Sequence, residues 1–159
     1  MKKLIAIITV FFLFACSKSD DMVYSIWDTQ FSFSIINSEN EDLLNPKTPN
    51  HFEADEIKLF YEIDGEVKEI YDPRLDYPRQ VRVVIDDNLS RVDLSLNNSD
   101  EKSITYVQWN EGDTDTIEVL YQTKDMPGIK RMVWLNGQII WDLETDSRYY
   151  YQIIKESLE

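Results

Sequence analysis

Turn-forming clusters recur about every 8–12 residues along this chain, the spacing expected of short antiparallel strands. The runs between them alternate apolar and polar side chains. Phe31, Phe33 and Ile35 alternate with Ser32 and Ser34. Ile57, Leu59, Tyr61 and Ile63 share one face, as do Ile117, Val119 and Tyr121. Val92, Leu94 and Leu96 alternate with Asp93 and Ser95. A period of two is the mark of a half-buried strand, and no run is long enough for a substantial amphipathic helix. The pattern predicts an all-β fold, an antiparallel β-sandwich (immunoglobulin-like or similar) of about ten short strands.

Two dipeptides predict the hairpins. Asn136-Gly137 lies between two apolar runs, a strong signal for a tight type I′ turn. That turn places Trp134 opposite Ile139 and Met132 opposite Trp141 on a core face. Val133 then meets Ile140, and Arg131 meets Asp142. For Asp64-Gly65, a three-residue loop aligns Ile63 with Val67 and Leu59 with Tyr71. It buries more apolar surface than a two-residue turn and is the preferred register. The stretch from Tyr149 to Lys155 is expected as a last strand, with a short helix as the alternative because Tyr150 and Ile154 stand at helical spacing. The polar segment from Asn37 to Asp55 is long for a structureless connection. It is expected either to be functional or to carry a small element of its own.

The N-terminus reads differently. Lys2 and Lys3 precede an apolar run from Leu4 to Phe14, followed by Leu13-Phe14-Ala15-Cys16. A basic region, about 7–15 apolar residues and a small residue form a cleaved secretory signal. The run is well short of the ~20 residues that span a bilayer. Leu13, Ala15 and Cys16 resemble a bacterial lipobox, although Phe14 is bulkier than the small residue usual there. The resemblance implies cleavage before Cys16 and acylation of that cysteine. Residues 1–15 are then the signal, 16–25 a lipidated tether and 26–159 a single sandwich domain. Two or more acyl chains hold firmly where one holds marginally. Cys16 is the only cysteine in the chain, so the exported domain has to fold without disulfides. Lys18, Asp20 and Asp21 resemble the acidic tether that directs lipoproteins of Bacteroidetes-type bacteria to the outer surface, with a plain polar spacer as the alternative.

Charge narrows the partners. The formal net charge is −14, and loss of Lys2 and Lys3 with the signal makes it more negative. Such a surface repels phosphate backbones and anionic lipid, so no nucleic-acid role is expected and membrane contact falls to the acyl chains on Cys16. Aromatic residues make up 13% of the chain, enough to build a core despite the acidity.

Asn40 to Pro46 (N-E-D-L-L-N-P) and Asp55 to Tyr61 (D-E-I-K-L-F-Y) resemble a group of small Bacteroidetes-type lipoproteins. Gly112 to Ile117 (G-D-T-D-T-I) and Leu135 to Trp141 (L-N-G-Q-I-I-W) add to the likeness. It implies an outer-membrane lipoprotein of β class, on the periplasmic face or the cell surface. No biochemical activity comes with it.

No catalytic constellation stands out. His51 is the only histidine and reads as a loop residue. Paired carboxylates would support glycoside hydrolysis, but thirty acids make close pairs inevitable by chance. Calcium could be taken by the acids of Glu39 to Asp42, Asp86 to Asn88 or Asp113 to Asp115, although none has EF-hand spacing. Trp27, Trp109, Trp134 and Trp141 are the candidate ligand-binding residues for sugar stacking, with core packing as the alternative for each. The expectation is a non-enzymatic binding or structural module. It would act through a surface or through the 37–55 loop, on a protein partner or on a glycan as part of an uptake system. A carboxylate-dependent hydrolase is the enzymatic alternative.

Overall fold

The computed structural model describes residues 28–123, 128–148 and 150–156. Cys16 and Trp27 lie outside them. Ten strands and no helix occur among the described residues. They are β1 (Gln30–Ile36), β2 (Lys58–Ile63), β3 (Glu66–Glu69), β4 (Val81–Val84), β5 (Arg91–Ser95), β6 (Lys102–Asn110), β7 (Asp113–Tyr121), β8 (Lys130–Leu135), β9 (Gln138–Asp142) and β10 (Tyr150–Ile154). A four-stranded sheet runs β10-β1-β5-β4, and a six-stranded sheet runs β3-β2-β6-β7-β8-β9. The fold is an all-β sandwich dominated by antiparallel pairs, as the spacing of turns predicts.

Alternation along the strands builds the core. Phe31, Phe33, Ile35, Val92 and Leu94 come from one sheet and Leu59, Val107, Trp109, Ile117 and Val119 from the other, all buried. Phe33 meets Trp109 and Phe31 meets Trp141 edge-on across the layers, at 6.4 and 6.3 Å between ring centroids. With about 1.5–3 kcal/mol gained per large apolar side chain fully buried, such a core holds the fold without a disulfide.

The 37–55 segment closes one end of the sandwich. Leu43, Leu44 and Phe52 are buried in the main core, and Phe52 packs 6.2 Å from Trp109. Asn37 Oδ1 accepts hydrogen bonds from the backbone N–H groups of Glu39 and Glu41. Asp42 Oδ2 accepts from Ser90 N at 2.7 Å, pinning the segment to the turn before β5. The small element left open by the sequence is this turn network, with one bridge between Ile36 and Asp42.

Three registers differ from expectation. Asp64 and Gly65 both take positive φ (54° and 77°), and Ile63 pairs with Glu66 across a two-residue turn. The alternative register gains nothing, because β3 is an exposed edge strand with no second layer to bury Val67. In the β8–β9 hairpin the Asn136-Gly137 turn and the Trp134–Ile139 pairing stand as expected, but that pair faces outward, with Ile139 58% exposed, and the core face is the one carrying Val133. A bulge then puts Val133 opposite Trp141 and Met132 opposite Asp142. The extra residue, Ile140, lets Ile140 and Trp141 both enter the core, which strict alternation forbids. Arg131 pairs with Glu144 instead of Asp142, at 2.6 Å. Finally, β10 is a strand, but it runs parallel to β1. It arrives from the opposite sheet, so no hairpin fixes its direction.

Candidate ligand-binding face

Two of the four tryptophans named as candidate stacking residues are inside the protein. Trp109 and Trp141 are buried in the core and present no ring to solvent. Trp134 is half-buried on the outer face of the six-stranded sheet. The ammonium of Lys102 sits 5.2 Å over its ring and pairs with Glu118 at 2.6 Å, so the protein's own cation covers that face. No tryptophan platform forms among the described residues.

The acids of Asp113 to Asp115 are committed in the same way. Asp115 Oδ2 accepts from Trp109 Nε1 at 2.6 Å and pairs with Lys155 Nζ at 2.9 Å. Asp115 Oδ1 accepts from Asn136 Nδ2 at 2.8 Å. Lys155 also reaches Asp113 at 2.7 Å. Burial raises the Asp115 pKa, but the bonds from Asn136, Lys155 and Trp109, with the Lys155 charge, outweigh it and hold the carboxyl below its ordinary 3.8. An internal ammonium thus occupies the place a cation would take. No three His, Cys, Asp or Glu side chains that could hold a metal gather among the described residues. His51 lies in its loop, with Nδ1 3.0 Å from the Thr48 carbonyl and Nε2 3.3 Å from Glu53.

The outer face of the four-stranded sheet is built differently. Inner residues Phe31, Phe33, Val92 and Leu94 force the alternate positions outward, so Ser32 and Ser34 on β1 and Arg91 and Asp93 on β5 share one face. Strand pairing sets Tyr150, Ser32, Asp93 and Arg82 in a single row across all four strands. Ser32 Oγ donates to Asp93 Oδ1 at 2.6 Å, and Arg91 Nε lies 3.4 Å from the same oxygen. Asp93 is only 6% exposed, a costly place for a carboxylate unless it is paired and hydrogen-bonded.

Two cavities flank this row. One, of about 400 Å³, lies over Ser32, Ser34, Arg91 and Tyr150. The other, of about 520 Å³, lies over Asp93, Arg82, Gln80 and Tyr77. Both fall in the size range of ligand sites, about 300–1,000 Å³. Ser34 is buried, with 4% exposure, yet its hydroxyl has no hydrogen-bond partner. Buried hydroxyls are normally satisfied, so this orphan, shut off from solvent beneath the cavity, is a local cost to the fold. The guanidinium of Arg82 rests 5.8 Å from the Tyr77 ring and makes no hydrogen bond among the described residues. Tyr77 and Tyr150, 48% and 52% exposed, stand at the two ends.

Sequence reasoning passed over this face. Ser32, Ser34 and Asp93 read as the solvent side of half-buried strands, which is where alternation puts polar residues. The available signal was a lone Asp between Val92 and Leu94 facing a serine-bearing strand, and it needs the β1–β5 pairing to be seen.

Fold and site together define a β-sandwich with a polar, two-cavity cleft on the outside of its smaller sheet. No family model, curated protein or solved structure matches the chain.

Proposed function

We propose that this chain is a non-enzymatic binding module of the bacterial cell envelope, anchored in the outer membrane through acyl chains on Cys16. Its ligand lies on the outer face of the four-stranded sheet. The observation that supports the binding role is the row Tyr150, Ser32, Asp93 and Arg82, with a cavity on either side of it. The anchor rests on the sequence alone: a basic and apolar leader, then Leu13, Ala15 and Cys16.

At this face a binding role is favoured over a carboxylate-dependent hydrolase by the places of the two acids buried among the described residues. Asp93 stands on β5 in the smaller sheet and Asp115 on β7 in the larger. A glycosidase needs two carboxyl groups facing one bond. Here each is tied to donors of its own.

Cys16→Ala tests the anchor. The variant is expected as a soluble, folded protein, whereas the parent fractionates with membranes. Retention of the variant in the membrane fraction at high salt would refute the lipid attachment.

A further inference from the structure

We propose that the ligand of this face is an acidic oligosaccharide, a short chain of pyranose rings bearing carboxylates. This rests on the binding-face reading and specifies its chemistry. Three kinds of group converge here, and each suits one part of such a molecule.

The first is aromatic. Tyr150 and Tyr77 expose rings at opposite ends of the cleft. An amphipathic ring packs well against the C–H face of a sugar while its hydroxyl stays wet. The strands β10 and β4 are separated by three inter-strand spacings, about 14 Å in all. That span suits several rings in a row.

The second is a set of hydroxyl partners. Asp93 and Ser32 offer acceptors at the centre, the Ser32 proton being already given to Asp93. Sugars present vicinal hydroxyls that both donate and accept, which these acceptors and the guanidinium donors of Arg82 and Arg91 beside them match.

The third is cationic. Arg82 and Arg91 flank the buried carboxylate of Asp93, and the exposed Asp76 lines the Arg82 side of the cleft. Arg91 Nε lies 3.4 Å from Asp93, and Arg82 rests on the Tyr77 ring. Both retain the paired N–H groups that bind a carboxylate in a fork. In a chain of net charge −14 the long-range field repels anions, so acid recognition has to be local and geometric. Two under-used guanidiniums in one cleft provide that.

The test is calorimetric titration of the full lipidated chain in detergent. The probes are oligogalacturonate, oligomannuronate and the carboxyl-reduced form of each. Binding of an acidic probe is expected, with its reduced form weaker by on the order of tenfold, the scale of one charge-assisted bond. Arg82→Gln, an exposed substitution, should weaken the acidic form about tenfold and leave the reduced form unchanged. Tyr150→Ala should weaken both. Equal binding of acidic and reduced forms, lost in Tyr150→Ala, would overturn the acidic ligand and keep the face. Binding indifferent to both substitutions would overturn the face itself. Absence of binding by every probe would overturn the oligosaccharide. Hydroxyl-radical footprinting of Tyr77 and Tyr150 in intact cells against the purified chain then decides whether the face has another occupant.

Discussion

Tyr61 on β2 donates its hydroxyl to the carbonyl of Ser95 on β5 at 2.6 Å, joining the larger sheet to the smaller. The same hydroxyl lies 3.2 Å from Gln80 Oε1, beside the cleft. Tyr61→Phe should therefore cost about 1 kcal/mol, visible as a lower denaturant midpoint with an unchanged slope.

Alkaline pH should reveal the same bond. Burial raises the Tyr61 pKa well above its ordinary 10.0, and burial with the nearby Tyr61 and Asp28 does the same for Tyr121. A raised folded-state value means stability that is complete below pH 10. It is lost above that, because the unfolded chain releases these protons first. Unfolding free energy should fall above pH 10, and less steeply in Tyr61→Phe. Parallel curves for the two proteins would contradict the assignment.

Asp115 governs the acid side. Its folded-state pKa is depressed, so its contribution is present above the ordinary 3.8 and is lost as pH falls through the folded value. The stability advantage of the parent over Asp115→Asn should shrink below pH 4. Lys155→Met, which removes the ammonium from Asp113 and Asp115, should cost about 1.5–3 kcal/mol at neutral pH.

Ser34→Ala measures what the buried hydroxyl costs the fold. A buried hydroxyl without a partner costs stability, so its removal should raise the melting temperature, by about 1 kcal/mol of free energy. A lower melting temperature would mean that the hydroxyl serves the fold.

The glycines provide a backbone control. Gly65 and Gly137 take positive φ, and a Cβ at either would meet only open space, so alanine there should cost about 1 kcal/mol from conformation alone. Gly112 carries no such angle, and a Cβ there would meet Asn110 Oδ1 at an ordinary 3.6 Å. Gly112→Ala should be close to neutral in thermal unfolding.

How far the sequence could be read depended on whether local chemistry decided the outcome. Alternation in β1, β2, β5 and β7 set which residues fill the core, because a second layer rewards each apolar face. At β3 no such layer exists, and the Asp64-Gly65 turn set the register that a burial argument mis-assigned. In β9 the gain from burying Ile140 and Trp141 together outweighed regular pairing, and period-two reasoning makes no allowance for a bulge. The tryptophans drew attention as the largest amphipathic side chains, yet Trp109 had an internal partner in Asp115 that only the fold reveals. The tyrosines at the cleft were hidden for the converse reason: Tyr77 lies in a turn-rich link and Tyr150 on a strand whose neighbour comes from the far end of the chain.

Lys130 gives the fold a mechanical property. Its buried ammonium binds the carbonyls of Asp28 and Gln30 at 2.7 and 2.8 Å and the Asp28 carboxylate at 2.7 Å. Asp28 is where a tether from Cys16 would join the sandwich. Any tension on such a tether enters at this clamp and passes into β1, an interior strand held by β10 on one side and β5 on the other. Load along β1 must shear two ladders of hydrogen bonds together, whereas an edge strand would peel away bond by bond. A chain fastened there would pass load into an interior strand and not into the exposed edge β4 that carries one side of the cleft.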